Sequence, residues 1–248
     1  MKTKDLLVRI LRNRLALFAI LLIIQSLFFV TNMANSLLRE PDDGWELKIA
    51  AIDNHLSPMG IWLIPYAVGF LLAALLPLWA AFYMPIKLYR QFILAMGVAA
   101  VFSYIIYIVF PTYVVKPRPE DVPGSDILSV LLRTAYEADN AYSTHNAAPS
   151  QHVFYAIINA CFMIRFRPRP RVFWVWTTLA ALISASALLT RQHHSPDLIA
   201  GYLTAAGAYY AGLWLGERVT AWLGDEHSPL IAPWQRRLRW RRGVMDAA

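Results

Sequence analysis

RFRPRPRVFWVWTTLAALISASALLTRQHHSPDLIAGYLTAAGAYYAGLWLG, residues 165–216, is the stretch on which the fold turns. It opens on four arginines, runs apolar over 172–190, breaks at the polar turn 191–197, and runs apolar again to 216. A helix needs roughly 20 apolar residues to cross a bilayer core, with about 17–25 tolerated. The stretch therefore reads as a basic loop, a crossing, a polar turn and a second crossing. Working outward, the same pattern places further spans at 15–37, 59–84, 91–112 and 149–165, six in all. The third closes at Pro111, because the residue before a proline is pushed out of helical geometry. The first apolar run exceeds the roughly 7–15-residue core of a signal peptide, so it reads as a retained span.

Composition agrees. Of 248 residues, 58% are hydrophobic and 16% charged, against about 25% charged in a soluble domain. The expected class is all-α: a polytopic integral membrane protein with one six-helix bundle. It has no visible internal repeat, and the bundle (15–216) lies between a basic N-terminal segment (1–14) and a basic tail (217–248). Cys161 is the single cysteine, which excludes an intramolecular disulfide and a cysteine-based metal site.

The net charge of +7 is distributed by side. Lys2, Lys4, Arg9, Arg12 and Arg14, then Lys87 and Arg90, then Arg165, Arg167, Arg169 and Arg171, then Arg218 and the tail arginines 236–242 fall on one face of a six-span topology. The positive-inside rule makes that face cytoplasmic, with both termini on it. Juxtamembrane arginines of this kind meet anionic lipid rather than nucleic acid. The other face, periplasmic, extracellular or lumenal, receives 38–58, 113–148 and 191–196.

Three polar clusters lie on that outer face: Pro111-Thr112 with Lys116-Pro117-Arg118-Pro119; Pro149-Ser150-Gln151-His152; and Arg191-Gln192-His193-His194-Ser195-Pro196-Asp197. Each alone is ordinary: an interfacial histidine reaching water, a rigid proline turn, or a helix start with Ser195 as N-cap and Pro196 at the first helical position. Their convergence is the signal. Two helix N-termini on one face offer free N–H groups and partial positive charge to an anion. Lys116, Arg118 and Arg191 add full charges suited to phosphate. His193 and Asp197, four apart, let a carboxylate orient one imidazole nitrogen and leave the other as nucleophile. Pro196 keeps Ser195 from regular helical geometry, so His193 is expected in the turn before the helix. His152, from another span, is a candidate general acid on the leaving oxygen.

At these residues the chain resembles the type 2 phosphatidic acid phosphatase superfamily, with its haloperoxidase-like helical core. KPRP, PSQH and RQHHSPD stand, in order, where the family has a basic Arg-Pro box, a Pro-Ser-x-His box and a His-x-x-x-Asp box preceded by Arg. The resemblance implies that His193 attacks phosphorus to form a phosphohistidine-type intermediate, with Asp197 orienting it. His152 would protonate the departing alcohol. Arg118, Arg191 and Ser150 would hold phosphoryl oxygens, with Lys116 a lesser partner. No cofactor and no metal is implied, and the substrate would be a lipid phosphate or phospholipid. The chain departs from the lipid phosphatase branch at Pro111, where Lys is usual, at Gln151, where Gly is usual, and at Ala187, where Arg is usual. The Pro-Thr-x-x-x-x-x-Arg-Pro and Arg-Gln-His-His forms are similar to the inositol phosphorylceramide synthase branch. Hydrolysis and headgroup transfer both stay open, as do a metal- or haem-binding protein using the same histidines and a non-catalytic transporter. His194 reads as a wall residue of the site with a lesser claim to be the nucleophile. Asn146, Ser143 and Thr144 read as loop hydrogen-bonders, and His145 is given no role.

Overall fold

The fold was described from a computed structural model covering residues 3–40, 43–142 and 145–224. The helices are α1 (Thr3–Arg12), α2 (Arg14–Leu38), α3 (Ala50–Asp53), α4 (Leu63–Tyr83), α5 (Ile86–Val109), α6 (Ile127–Tyr142), α7 (Gln151–Phe166), α8 (Pro170–Leu189) and α9 (Ser195–Trp222). Among the described residues there is no strand; two isolated bridges join Trp45 to Thr112 and Tyr113 to His145. The tail arginines 236–242, His227, Lys2, Ser143 and Thr144 lie outside the described residues.

Five helices have the length and apolarity to cross a membrane: α2, α4 with the short turn ahead of it, α5, α8 and α9. Phe29, Trp174, Leu203 and Tyr210 face outward from them, as lipid-facing side chains do in a medium that cannot hydrate a backbone. The fourth expected span, α7, is shorter. Its 16 residues extend roughly 24 Å at 1.5 Å per residue. It packs against α4, α5, α8 and α9 instead of lining the outside. The other expected boundaries hold to within a few residues. The main differences are that α5 starts at Ile86, directly after Pro85, and that α9 continues to Trp222.

Helices α2, α4, α5, α7, α8 and α9 alternate in direction. At one end the C-termini of α2, α5 and α8 meet the N-termini of α4, α7 and α9: Asn35 reaches Tyr107 O at 3.2 Å, and Met59 N reaches Leu189 O at 3.1 Å. At the other end Arg14 bonds to Ala81 O and Met84 O, and Arg12 to Leu223 O. The segment 113–148, expected as loop, contains α6. Asp126 accepts from the N–H groups of Leu128 and Ser129, starting the helix as an N-cap. Leu132 and Tyr136 then bury one side of it against Val122 and Leu63.

α5 is the central element, with more than half of its most apolar window buried. It packs most extensively on α9, through a Gly212-x-x-x-Gly216 pair that faces Gln91 and Ala95. Small residues at this spacing let two backbones approach closely inside a membrane. A Cβ on Gly212 would stand 2.6 Å from Ala95 Cβ and 2.7 Å from Gln91 O, so a side chain there must push the helices apart. Gly212→Val is expected to lower stability by about 1–3 kcal/mol through overpacking, read as a lower Tm in detergent. Gly207→Ala, which meets nothing within 4 Å, should not lower the Tm.

Candidate active site

The site is built where α7 and α9 begin. Tyr107 on α5 donates its hydroxyl to Pro149 O at 2.6 Å. Thr112 accepts the Ala148 N–H at 2.6 Å, and its carbonyl accepts Ala147 N–H at 3.1 Å. The Pro-Thr pair that ends the third span is therefore the brace for the Pro-Ser-Gln-His segment. Asn146, in the left-handed region that asparagine tolerates, is tied to α2 by Asn35 Nδ2 at 2.7 Å and by Thr31. Its expected part as a loop hydrogen-bonder is what the geometry gives.

Ser150 is the N-cap residue of α7, and its N–H bonds to Asp197 O at 3.1 Å, joining the two helix starts directly. Gly201, nearly two turns into α9, is what permits this: a Cβ there would lie 2.9 Å from Val153. At α9 the N-cap is His194, one residue earlier than Ser195. Ser195 cannot serve because its hydroxyl and N–H both bind Asp53 Oδ1, at 2.7 and 3.0 Å. The capping carboxylate is Asp197, whose Oδ2 accepts His194 N–H at 2.9 Å. The same oxygen stands 3.5 Å from His193 Nδ1, in the turn ahead of the helix. That distance suits an ion pair and is long for a hydrogen bond; such contacts tighten when substrate binds.

His152 and His193 face each other, with ring centroids 6.2 Å apart. His152 stacks on Tyr66 at 3.9 Å and meets the edge of Phe70 at 4.9 Å. Both histidines line a pocket of about 180 Å³ together with Lys116, Asp139, Asn146 and Gln192. Ser150 Oγ, His152 Nε2 and His193 Nδ1 are buried without a hydrogen-bond partner. Native interiors rarely leave such atoms unsatisfied, and clusters of them mark places where a ligand completes the bonding.

The pocket's cation is Lys116. Its ammonium donates to Gln192 O at 3.0 Å and Gln192 Oε1 at 2.6 Å, and lies 3.8 Å from Asp139. Burial lowers its pKa to about 8, against the opposing pull of Asp139 and Asp197. The two arginines sit elsewhere. Arg118 is 81% exposed beside Glu120 and does not line the pocket. Arg191 takes the left-handed backbone conformation at the end of α8, and its guanidinium binds the carbonyls of Asp53 and Leu56. The pocket thus brings together His152, His193 and Lys116, with Asp197 and Ser150 behind it. Arg118 and Arg191, expected at phosphoryl oxygens, do not line this pocket.

His194 turns away from the pocket, its Nε2 3.1 Å from Glu46 in the outer loop. Burial lowers its pKa, opposed chiefly by the Glu46 hydrogen bond. It fastens that loop and does not form a pocket wall. Asp53 is nearby, in α3. Burial alone would raise its pKa, but bonds from Ser195 and Ile49 N–H outweigh that and hold it below the usual carboxylate range. Sequence reasoning missed Tyr66, Asp139 and Gln192 as pocket residues, and also His145, whose Nε2 lies 3.0 Å from Asp43 O. Tyr66 and Asp139 are far from every motif, and no local signal marks them.

Comparison with curated proteins yields no match. A family model, described as the PAP2 superfamily, matches residues 44–211, more than half of the chain. The matched region contains all three polar boxes, α4 through most of α9, and every residue that lines the histidine pocket except Phe28 and Asn32. By this match over more than half of its length, the chain, an all-α bundle of membrane-type helices, belongs to the PAP2 superfamily.

Proposed function

We propose that the chain is a six-span membrane enzyme that removes or transfers a phosphate-containing group of a lipid, with its pocket on the non-cytoplasmic face. The observation that carries this reading is the facing pair His152 and His193 beside one buried cation, with Asp197 behind His193. Superfamily membership supports the lipid phosphatase or phosphotransferase class. Basic residues gathered at the opposite end of the bundle support the orientation.

Each atom has a task. Asp197 holds Nδ1 of His193, leaving Nε2 to attack phosphorus. As the N–P bond forms, the P–O bond to the lipid alcohol breaks, and His152 gives its proton to the departing oxygen. In the second half, water or an acceptor hydroxyl loses its proton to His152 while its oxygen attacks the phosphohistidine phosphorus. The N–P bond then breaks and His193 is restored. Lys116 balances the negative charge on the phosphoryl oxygens throughout. Ser150 supplies an unpartnered hydroxyl at the N-terminus of α7. Arg191 acts indirectly, by fixing the turn that carries His193. A second apolar groove, of about 250 Å³, supports a lipid substrate: it lies between α2 and α4 and shares Phe28, Phe70, Gln151 and His152 with the histidine pocket. The phosphate would sit in the pocket and a chain in the groove. The Pro-Thr and Arg-Gln-His-His forms favour the inositol phosphorylceramide synthase-like branch, in which a hydroxyl replaces water as acceptor.

Three outcomes test the proposal. His193→Ala is expected to abolish turnover and the acid-labile phosphoenzyme in a lipid-phosphate assay, while His152→Ala slows turnover about 10²–10⁴-fold, the usual contribution of a general acid. Full activity in either variant removes the mechanism. Second, Lys116 loses its charge as pH rises through about 8, so kcat/KM should fall above that pH. Lys116→Arg, which keeps its charge, should move the falling limb upward. Third, Ala74→Trp fills the groove between α2 and α4. A buried methylene is worth about 0.8 kcal/mol, so losing two such contacts costs about tenfold. The penalty in kcat/KM should therefore grow with chain length, and equal losses on short and long chains would count against the groove.

A further inference from the structure

Helix α6 has a face that the other described residues leave bare. Its inner side carries Ser129, Leu132 and Tyr136, all buried. Its other side carries Ile127, Val130, Leu131, Thr134 and Ala138, all exposed. Positions 127, 130, 131, 134 and 138 follow the three- and four-residue spacing that gathers side chains on one face of a helix. The charges of α6 turn from that face. Arg133 folds back onto the carbonyls of Pro119, Val122 and Gly124. Asp139 lies beside Lys116 in the histidine pocket. Glu137 stands at the edge of the exposed face.

The helix is fixed at the level where spans end. Ser129 lies against Gly60, in the turn that starts α4. A Cβ on Gly60 would stand 2.5 Å from Ser129 N and 2.8 Å from Leu128 C, so only glycine admits α6 there. Tyr136 donates its hydroxyl to Thr190 O at 2.6 Å, at the end of α8. Both α4, with that turn, and α8 have the length and apolarity to cross a membrane. The end of a crossing helix lies where hydrocarbon gives way to headgroups. A helix pinned to two such ends lies at that boundary as well. Ile61 and Ile64, beside Gly60, are exposed too, so the apolar surface of α4 carries on to the level of α6. Farther along, α6 reaches α2. It therefore bridges the ends of α2 and α4, the helices that flank the apolar groove.

We propose that α6 is an interfacial helix, with Ile127, Val130 and Leu131 inserted among lipid chains of the leaflet at the histidine end of the bundle. A membrane-bound helix with one apolar face lies in the interface plane with that face in the acyl boundary. Here the opposite face is already packed on protein, so lipid completes the burial of α6 without any change in the fold. One flank of the helix brings Asp139 to the pocket while its outer face holds the leaflet, and α6 becomes a lipid-anchored bridge over the groove. The reading needs only that the bundle crosses a membrane, and it is independent of the chemistry proposed for the histidines.

The test is nitroxide scanning of the full chain in phosphatidylcholine liposomes, in a Cys161→Ala background that leaves no other thiol. Cysteine replaces Ile127, Val130 or Leu131, each an exposed side chain. Tyr210→Cys, on the outward side of α9, is the hydrocarbon reference, and Glu120→Cys is the aqueous one. Labels on α6 are expected to collide more often with oxygen than with a water-soluble nickel chelate. They should report depths about 5–10 Å into the headgroup–acyl boundary, between the two references. Nickel accessibility on α6 equal to that at Glu120 overturns the proposal, because the face then meets water. Labels shielded from both reagents also overturn it, because a second copy or another segment then covers the face. The positions are read independently, so a variant that fails to fold leaves the others to decide.

Discussion

The carboxylate of Asp197 holds the site together. Oδ2 caps α9 by accepting His194 N–H and stands beside His193 Nδ1, while the Asp197 carbonyl receives Ser150 N–H from the start of α7. One residue therefore ends a turn, begins a helix, faces an imidazole and sets the distance between two helices. A negative charge at a helix N-terminus is favourable in itself, so the Asp197 carboxylate is stabilised where it stands beside His193. The close α7–α9 approach at Gly201 fixes the separation of His152 and His193, because neither helix start can move without the other.

Long-range support follows the same logic of satisfying backbone groups next to the site. Tyr107 and Thr112, at the end of α5, hold the carbonyl of Pro149 and the N–H of Ala148. The outer loop is fastened by Asp53 to Ser195, by Arg191 to the Asp53 and Leu56 carbonyls, and by His194 to Glu46. Arg191, expected at phosphoryl oxygens, binds two carbonyls of the loop whose carboxylate anchors Ser195. Arg191 is well suited to that task. Its fork of donors can reach several carbonyls at once, and its left-handed backbone directs the chain from α8 into the turn.

What could be read from the sequence followed from its periodicity. Long apolar runs have one physical reading in a chain with so few charges, and their ends agreed with the helices because proline and polar clusters mark them. The histidine pair was legible because Pro-Ser-x-His and His-x-x-x-Asp both sit at helix starts on one face. The choice of cation was not legible. Lys116, Arg118 and Arg191 carry equal formal charge in the sequence, and only folding buries the first against Gln192 while leaving Arg118 beside Glu120. Tyr66 under His152, Asp139 beside Lys116 and helix α6 all depend on contacts between distant segments. Asp126 followed by Leu128, Leu132 and Tyr136 at helical spacing was a signal for α6 that the polar surroundings obscured.

The contrast between the two adjacent histidines shows how the fold separates neighbouring side chains. His193 and His194 share a turn, yet one looks into the pocket toward His152 and the other lies against Glu46. A nucleophile needs a free nitrogen facing substrate and a fixed one facing a base. His193 has Asp197 beside Nδ1 and lines the pocket, whereas His194 already spends Nε2 on Glu46. The extended backbone of the N-cap residue sends successive side chains to opposite sides. The same geometry that lets His194 cap α9 therefore turns His193 inward, so the way the helix begins decides which of the two histidines faces His152.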